Sequence, residues 1–201
     1  MPTLTPKLIS RFPTYFLQSD LSEQLDLQRM RSGINELIGD SGDYTTFHIQ
    51  RKNKGNNDPL MAIPGMGRLE EFILTHAEQY GKATNLRMKD NKVSMWGNIY
   101  RANDQHEYHC HPNSLISGTF YVYTDKDSSE IIFQDPAFPQ RMFDNPIDND
   151  ARHRYNGTMP HYNNWECVPT PGTLMMWPSY ILHRVRQQKK GERVTVSFNV
   201  S

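Results

Sequence analysis

Apolar residues recur at steps of three and four in two stretches of the first half of the chain, and at steps of two from residue 93 onward. Leu27, Met30, Ile34, Leu37 and Ile38 make one stripe of a helix that Ser19 or Asp20 would cap, after a short extended segment over Thr14 to Leu17. Leu69, Phe72, Ile73, His76 and Tyr80 share a face of a second helix over 69–80, with His76 on its surface or at the core edge. Between them, Gly39 to Asn57 is polar and carries Arg51, Lys52 and Lys54, which reads as a loop with a solvated basic run. From Val93 the period is two: Val93, Met95, Gly97 and Ile99 oppose Ser94, Trp96, Asn98 and Tyr100, a strand with one mixed, cavity-facing side. Further strands are predicted over Glu107 to His111, Gly118 to Tyr123, Glu130 to Gln134, Thr173 to Trp177 and Arg193 to Val200. Turn signals such as Pro171-Gly172 separate them. The last strand places Arg193, Thr195, Ser197 and Asn199 on one face and Val194, Val196, Phe198 and Val200 on the other. Helices followed by many short strands predict a mainly β protein with N-terminal helices packed outside a jelly-roll, or double-stranded β-helix, core. Residues 1–201 read as a single domain, with helical support over 19–80 and a β core over 93–201.

Composition acts by exclusion. Lys plus Arg and Asp plus Glu are both 22, so no polyanionic partner is implied and nucleic-acid binding is not indicated. No apolar run approaches bilayer length, and the first fourteen residues lack a signal-peptide core, which points to a cytoplasmic protein with no membrane partner. Cys110 and Cys167 make no disulfide framework and read as reduced, small buried residues. Oligomeric state is not encoded in any of these features.

The candidate chemistry lies in the β half. His109 and His111 are two positions apart in a predicted strand, so both imidazoles can face one ion. His183 offers a third ligand, because it follows the Pro-interrupted apolar run 173–182 and should end a neighbouring strand. Glu107 shares the parity of His109 and His111, and Asp104 and Asp135 are nearby carboxylates, so the second ligand is His111 or one of these. His106 either backs the pair or is exposed. Tyr121 and Tyr123 share a strand face and could line the cavity; Arg186 is a second anion contact or a solvated residue.

These residues, with Trp96-Gly97-Asn98-Ile99-Tyr100, His109-Cys110-His111-Pro112, Ser117 to Val122 and Pro178 to Val185, resemble the 2-oxoglutarate and iron(II)-dependent oxygenases. The motifs look closest to a branch common in marine bacteria and their phages. They cover the C-terminal half, and the helical half matches only in outline. The resemblance implies iron(II) held by His109, His183 and the residue at 111, and 2-oxoglutarate bound through its distal carboxylate by Arg193, ten residues after His183. Asn98, Tyr100, Thr195 and Tyr121 would assist Arg193, whose planar fork suits a carboxylate better than a lysine would. It further implies a dioxygenase, of the hydroxylase type, that couples oxidative decarboxylation of 2-oxoglutarate to oxidation of a C–H bond in a small molecule or protein side chain. Ascorbate would be an accessory reductant. One departure matters: most of the family has a carboxylate where this chain has His111. An all-histidine set donates no negative charge and leaves the metal's charge whole until the diacid binds.

Pro136 to Pro171 is long and irregular, and because it joins strands that flank the proposed metal it reads as a substrate-covering loop. Arg141, Arg152, His153, Arg154, Tyr155, His161 and Trp165 are its candidate substrate contacts. Two other readings stay open: a cupin-like thiol dioxygenase with iron on three histidines, and a non-catalytic jelly-roll binding module.

Overall fold

The computed structural model describes residues 14–38, 49–50, 59–88, 92–136, 164–168 and 170–201. In chain order the elements are β1 (Leu17–Asp20), α1 (Leu27–Ile38), β2 (Ile49–Gln50), α2 (Met66–Thr84), β3 (Val93–Tyr100), β4 (His106–His109), β5 (Ile116–Thr124), β6 (Ile131–Gln134), β7 (Asn164–Cys167), β8 (Thr173–Pro178), β9 (His183–Val185) and β10 (Arg193–Val200). They form a jelly-roll of two antiparallel sheets, β1-β8-β5-β10-β3-β2 and β4-β9-β6-β7.

Alternation along the central strands decides which face meets what. Val194, Val196, Phe198 and Val200 of β10, with Met95 and Ile99 of β3, join Met30 and Ile34 of α1 and Leu69 and Ile73 of α2 in the main core. Fully burying such side chains is worth about 1.5–3 kcal/mol each, so this face holds the helices against the large sheet. The two glycines of the central strands differ in what they permit. At Gly97 a Cβ would make ordinary van der Waals contact, 3.5 Å from Ile34 and 3.8 Å from Leu60. At Gly118 it would meet the Met175 carbonyl at 2.5 Å and run into the Phe198 ring, so no side chain fits there. The opposite faces of β3, β5 and β10 carry the polar set toward the small sheet.

Several expectations change. The cap of α1 is Asp26, whose carboxylate accepts the Arg29 N–H at 3.1 Å. Ser19 and Asp20 belong instead to β1, which pairs with β8, and Asp20 closes a turn on the Ser22 N–H at 2.9 Å. Helix α2 runs beyond 69–80 at both ends, from the left-handed Gly65 (φ 96°) to Asn85 (φ 55°). His76 is structural: one ring nitrogen is 2.7 Å from the Phe72 carbonyl and the other 3.0 Å from the Ser19 hydroxyl, joining α2 to β1. Ile49–Gln50, inside the stretch read as a loop, adds a two-residue strand to β3, while Arg51, Lys52 and Lys54 lie outside the described residues. Part of the expected covering loop is also strand, since β7 pairs with β6. Cys110 is exposed rather than buried. Tyr121 and Tyr123 do not share a face. A bulge between Val194 and Thr195 pairs them with Tyr123 and Tyr121, skipping Val122, so Tyr123 packs against the main core beneath Arg31, 3.4 Å from its ring centroid. Among the described residues, no helix is long and apolar enough to cross a membrane.

Candidate metal centre

β4 and β9 pair so that His109 and His183 stand directly opposite each other. β4 ends at His109, earlier than the strand expected to run to His111. His111 is instead held by its backbone N–H on the Ser179 carbonyl at 2.9 Å, and this contact, not strand parity, turns its ring toward the other two. The ligand-capable nitrogens of His109, His111 and His183 all lie within 4.8 Å of one another. Among the described residues no carboxylate joins this group. Glu107 is exposed and takes the Gln105 amide at 2.8 Å, and Asp104 closes its own turn on the Arg101 N–H at 2.7 Å. His106 stacks on His109 at 3.9 Å between ring centroids and lines the same cavity.

Two of the rings are oriented by the carbonyl two residues back. His109 Nδ1 is 2.7 Å from the Glu107 carbonyl and His183 Nδ1 is 2.9 Å from that of Ile181. A carbonyl only accepts, so each Nδ1 carries the proton and each Nε2 keeps its lone pair. Burial, reinforced by the neighbouring rings, pushes His183 down to about 3 and His111 to about 4, and burial lowers His109 as well. All three are therefore neutral bases at neutral pH, the form a metal needs.

These shifts have a stability consequence. Each folded-state pKa lies below the ordinary value of about 6.5, so as pH falls below it the unfolded chain takes up protons that the folded chain refuses. The stabilisation present above that pH is lost toward acid. Metal-free protein is expected to lose about 2 kcal/mol, on the order of 5 °C in Tm, between about pH 7 and about pH 5. Thermal melts check this, and His183→Leu should flatten the dependence; an equal slope in both proteins would contradict it.

A cavity partly open to solvent lies between the sheets and is lined by the three histidines together with Asn98, Tyr100, Thr195 and Arg193. Arg193 is only 2% exposed. Its guanidinium donates to the Ser129 carbonyl at 3.2 Å, its Nε has no partner among the described residues, and the rings of Tyr100 and Tyr121 flank it, each centroid 5.1 Å away. No carboxylate pairs with it among the described residues. The Tyr121 hydroxyl is likewise buried without a partner among them, and burial pushes the phenols of Tyr100 and Tyr121 up, so both remain neutral. Asn98 donates to Thr195 Oγ1 at 3.3 Å and Ser197 Oγ at 2.9 Å, so as placed it steadies those hydroxyls.

Three polar residues behind this site escaped the sequence reading. Ser129, which receives Arg193, is fixed by Gln188: its N–H and hydroxyl both donate to Gln188 Oε1, at 2.9 and 3.0 Å. Nothing in the run 187–191 marks Gln188 as fully buried. Trp177 packs edge-on to His183 at 5.0 Å between centroids, with its indole N–H buried and unpartnered among the described residues. Of the expected substrate contacts, Trp165 stacks on Phe133 at 5.2 Å, is 36% exposed and does not line the cavity. Arg141, Arg152, His153, Arg154, Tyr155 and His161 lie outside the described residues. Arg186 points away, paired with Glu130 at 3.3 Å and Glu166 at 2.5 Å.

The site's chemistry fits a divalent metal and a diacid. One end offers three imidazole nitrogens; the other offers a buried guanidinium and a phenol, each with an unused polar group, and burying such a charge without an anion is costly. Comparison with known proteins agrees. A family model described as "Putative 2OG-Fe(II) oxygenase" matches residues 94–199. No curated protein matches the chain in sequence. Among solved structures, a prolyl-4-hydroxylase from Pseudomonas putida is similar at 11% identity, covering 93% of this chain and 92% of that one, with TM-score 0.58. An oxidoreductase of the 2OG-Fe(II) oxygenase family from Burkholderia pseudomallei gives 13% identity, 92% and 84% coverage and TM-score 0.57. HygX from Streptomyces hygroscopicus, solved with nickel and 2-oxoglutarate bound, gives 12%, 94%, 83% and 0.54. At these identities the likeness concerns the fold alone, but the family model spans more than half of the 201 residues and ends on the strand that carries Arg193: the chain belongs to the 2-oxoglutarate and iron(II)-dependent oxygenase family.

Proposed function

We propose that the protein is an iron(II)- and 2-oxoglutarate-dependent dioxygenase that hydroxylates a small molecule or a protein side chain. The observation that carries this reading is Arg193, a buried cation with no acid partner among the described residues, in one cavity with three convergent imidazoles. His109, His111 and His183 would hold the metal through one nitrogen each. Arg193 would take the distal carboxylate of 2-oxoglutarate, with the hydroxyls of Thr195 and Tyr121 as further donors and Tyr100 as a wall. Asn98 would hold Thr195 in place. When bound, iron(II) and 2-oxoglutarate supply the oxidation, in which dioxygen is consumed, 2-oxoglutarate becomes succinate and CO₂, and a C–H bond of the substrate is oxidised.

The chain's own contribution is positioning by buried groups. Neutral tyrosines and a buried guanidinium bind a dianion more strongly there than in solvent. Three neutral histidines bring no charge to the metal, so the arriving diacid would also balance it, and metal and diacid should bind cooperatively. Arg141, Arg152, Tyr155 and His161 would contact the substrate.

The test is succinate formation from 2-oxoglutarate by metal-loaded protein with iron(II), ascorbate and oxygen, without added substrate. Slow uncoupled turnover, on the order of 1% or less of a typical kcat of about 10 s⁻¹, is expected. Oxygen uptake that needs a thiol and ignores 2-oxoglutarate would transfer the site to the thiol dioxygenase class. Absence of stoichiometric iron in protein purified without air would leave a binding module.

A further inference from the structure

Gln188 is fully buried, although it lies in the polar connection between β9 and β10 with lysines at 189 and 190. Both ends of its side chain and both of its backbone groups are engaged. The backbone N–H donates to the Asp104 carbonyl at 2.7 Å and the carbonyl accepts the Asn103 N–H at 2.7 Å, which ties Gln188 to the turn that follows Tyr100 and β3. In the side chain, Nε2 donates to the Lys190 carbonyl at 2.7 Å, and Oε1 accepts the N–H and the hydroxyl of Ser129 at 2.9 and 3.0 Å. These partners leave the amide one orientation, because a backbone N–H only donates and a carbonyl only accepts. The chain of bonds ends on the cation: the Ser129 carbonyl accepts the Arg193 guanidinium at 3.2 Å. Neither Gln188 nor Ser129 lines the cavity, so a ligand there would not touch them.

A guanidinium on a long, flexible side chain recognises a carboxylate well only when its planar fork is already turned the right way. The carbonyl that holds this fork belongs to Ser129, two residues before β6, where the strand's own ladder does not fix it. Gln188 supplies what the ladder does not. We propose that Gln188 is a positioning residue for 2-oxoglutarate binding: by fixing Ser129 it holds the Arg193 guanidinium in one orientation before the diacid arrives, and by its bonds to 103–104 it keeps that cation in register with Tyr100. Binding then does not have to order the arginine. The inference rests on the reading of Arg193 as the anchor of the distal carboxylate.

The experiment is a calorimetric titration of 2-oxoglutarate into nickel(II)-loaded protein, in which no turnover consumes the ligand, with nickel content measured on the same samples. Wild type, Gln188→Met, Arg193→Ala and the double variant form a cycle. Gln188→Met keeps the length of the side chain and loses its amide, and should weaken 2-oxoglutarate by about threefold to tenfold with nickel content unchanged. In the Arg193→Ala background the same change should cost less than about twofold, because the residue it positions is gone. A merely structural role would not produce that difference. Ser129→Ala removes one of the two bonds to Gln188 and keeps the carbonyl that receives Arg193. It should lose about twofold or more, again only when Arg193 is present, and it carries the test if Gln188→Met does not fold. Failure of wild type to bind 2-oxoglutarate, or undiminished binding by Arg193→Ala, would remove the anchor reading and this inference together. Wild type and Arg193→Ala behaving as expected, with affinity unchanged in the folded Gln188 and Ser129 variants or equally reduced in both backgrounds, would overturn the inference alone.

Discussion

Changing His183 to alanine is expected to abolish uncoupled succinate formation and reduce bound metal to a substoichiometric trace, an affinity loss of at least about a hundredfold. This side chain is the most deeply buried of the three histidines. It stands opposite His109 across the β4–β9 pair, with β6 on the other side, and is 4% exposed. Its Nδ1 is committed to the Ile181 carbonyl, and Trp177 and Phe133 close around the ring with centroids 5.0 and 6.0 Å away. Among the described residues the cluster holds no carboxylate in reserve, so of its own members His109 and His111 would remain, with His106 stacked behind His109 and outside the group. Truncation also leaves a cavity beside two large aromatic rings, so part of the effect could be folding. Separating the two requires metal analysis and a melting curve on the same sample, with His183→Gln as a variant that fills the space. Loss of metal and turnover with the fold intact is the expected result. A folded His183→Gln protein with full metal content and turnover would remove His183 from the site.

How much of this was legible in the chain depends on how local each feature is. The period-two pattern in 193–200 places Arg193, Thr195, Ser197 and Asn199 together, and the structure keeps that assignment. Slipping the strand by one residue would drive Arg193 into the core formed by Met30, Ile34 and Leu69, so the register is strongly specified. Features that arise between strands were not legible. The extra residue at Val122, which separates Tyr121 from Tyr123, exists because β5 and β10 fall out of step there, and no residue of either strand announces it. The same holds for β1, whose pairing with β8 takes Ser19 and Asp20 away from the helix cap expected of them. His111 was placed on the correct side for an incomplete reason: the pattern supplied strand parity, whereas the Ser179 carbonyl, sixty-eight residues later, turns the residue inward. Gln188 and Ser129 stayed hidden because a glutamine followed by two lysines reads as surface, and only the packed structure makes it the brace for Arg193.

Removing the guanidinium should separate binding from stability in opposite directions. Arg193→Ala is expected to weaken 2-oxoglutarate binding, read as KM or as affinity in metal-loaded protein, by about 10²–10⁴-fold, because breaking a buried charge pair typically costs about 3–5 kcal/mol. Metal content should be unchanged, since Arg193 is not part of the histidine group. The metal- and diacid-free protein should melt no lower, and even higher, than wild type. In that state Arg193 is a buried cation whose Nε has no partner among the described residues and whose acceptor there is the Ser129 carbonyl, so deleting it removes a desolvated charge at the expense of one hydrogen bond and some packing against Tyr100 and Tyr121. Arg193→Lys refines the point: it keeps the charge but loses the fork, and should weaken 2-oxoglutarate by about tenfold while leaving the protein less stable than the alanine variant. Isothermal titration with 2-oxoglutarate, beside melts with and without it, gives both quantities. Unchanged 2-oxoglutarate affinity in Arg193→Ala would show that the diacid binds elsewhere. A large loss of stability in the same variant would show that the guanidinium is held for the fold, because a cation kept waiting for an anion cannot also be what stabilises the empty site.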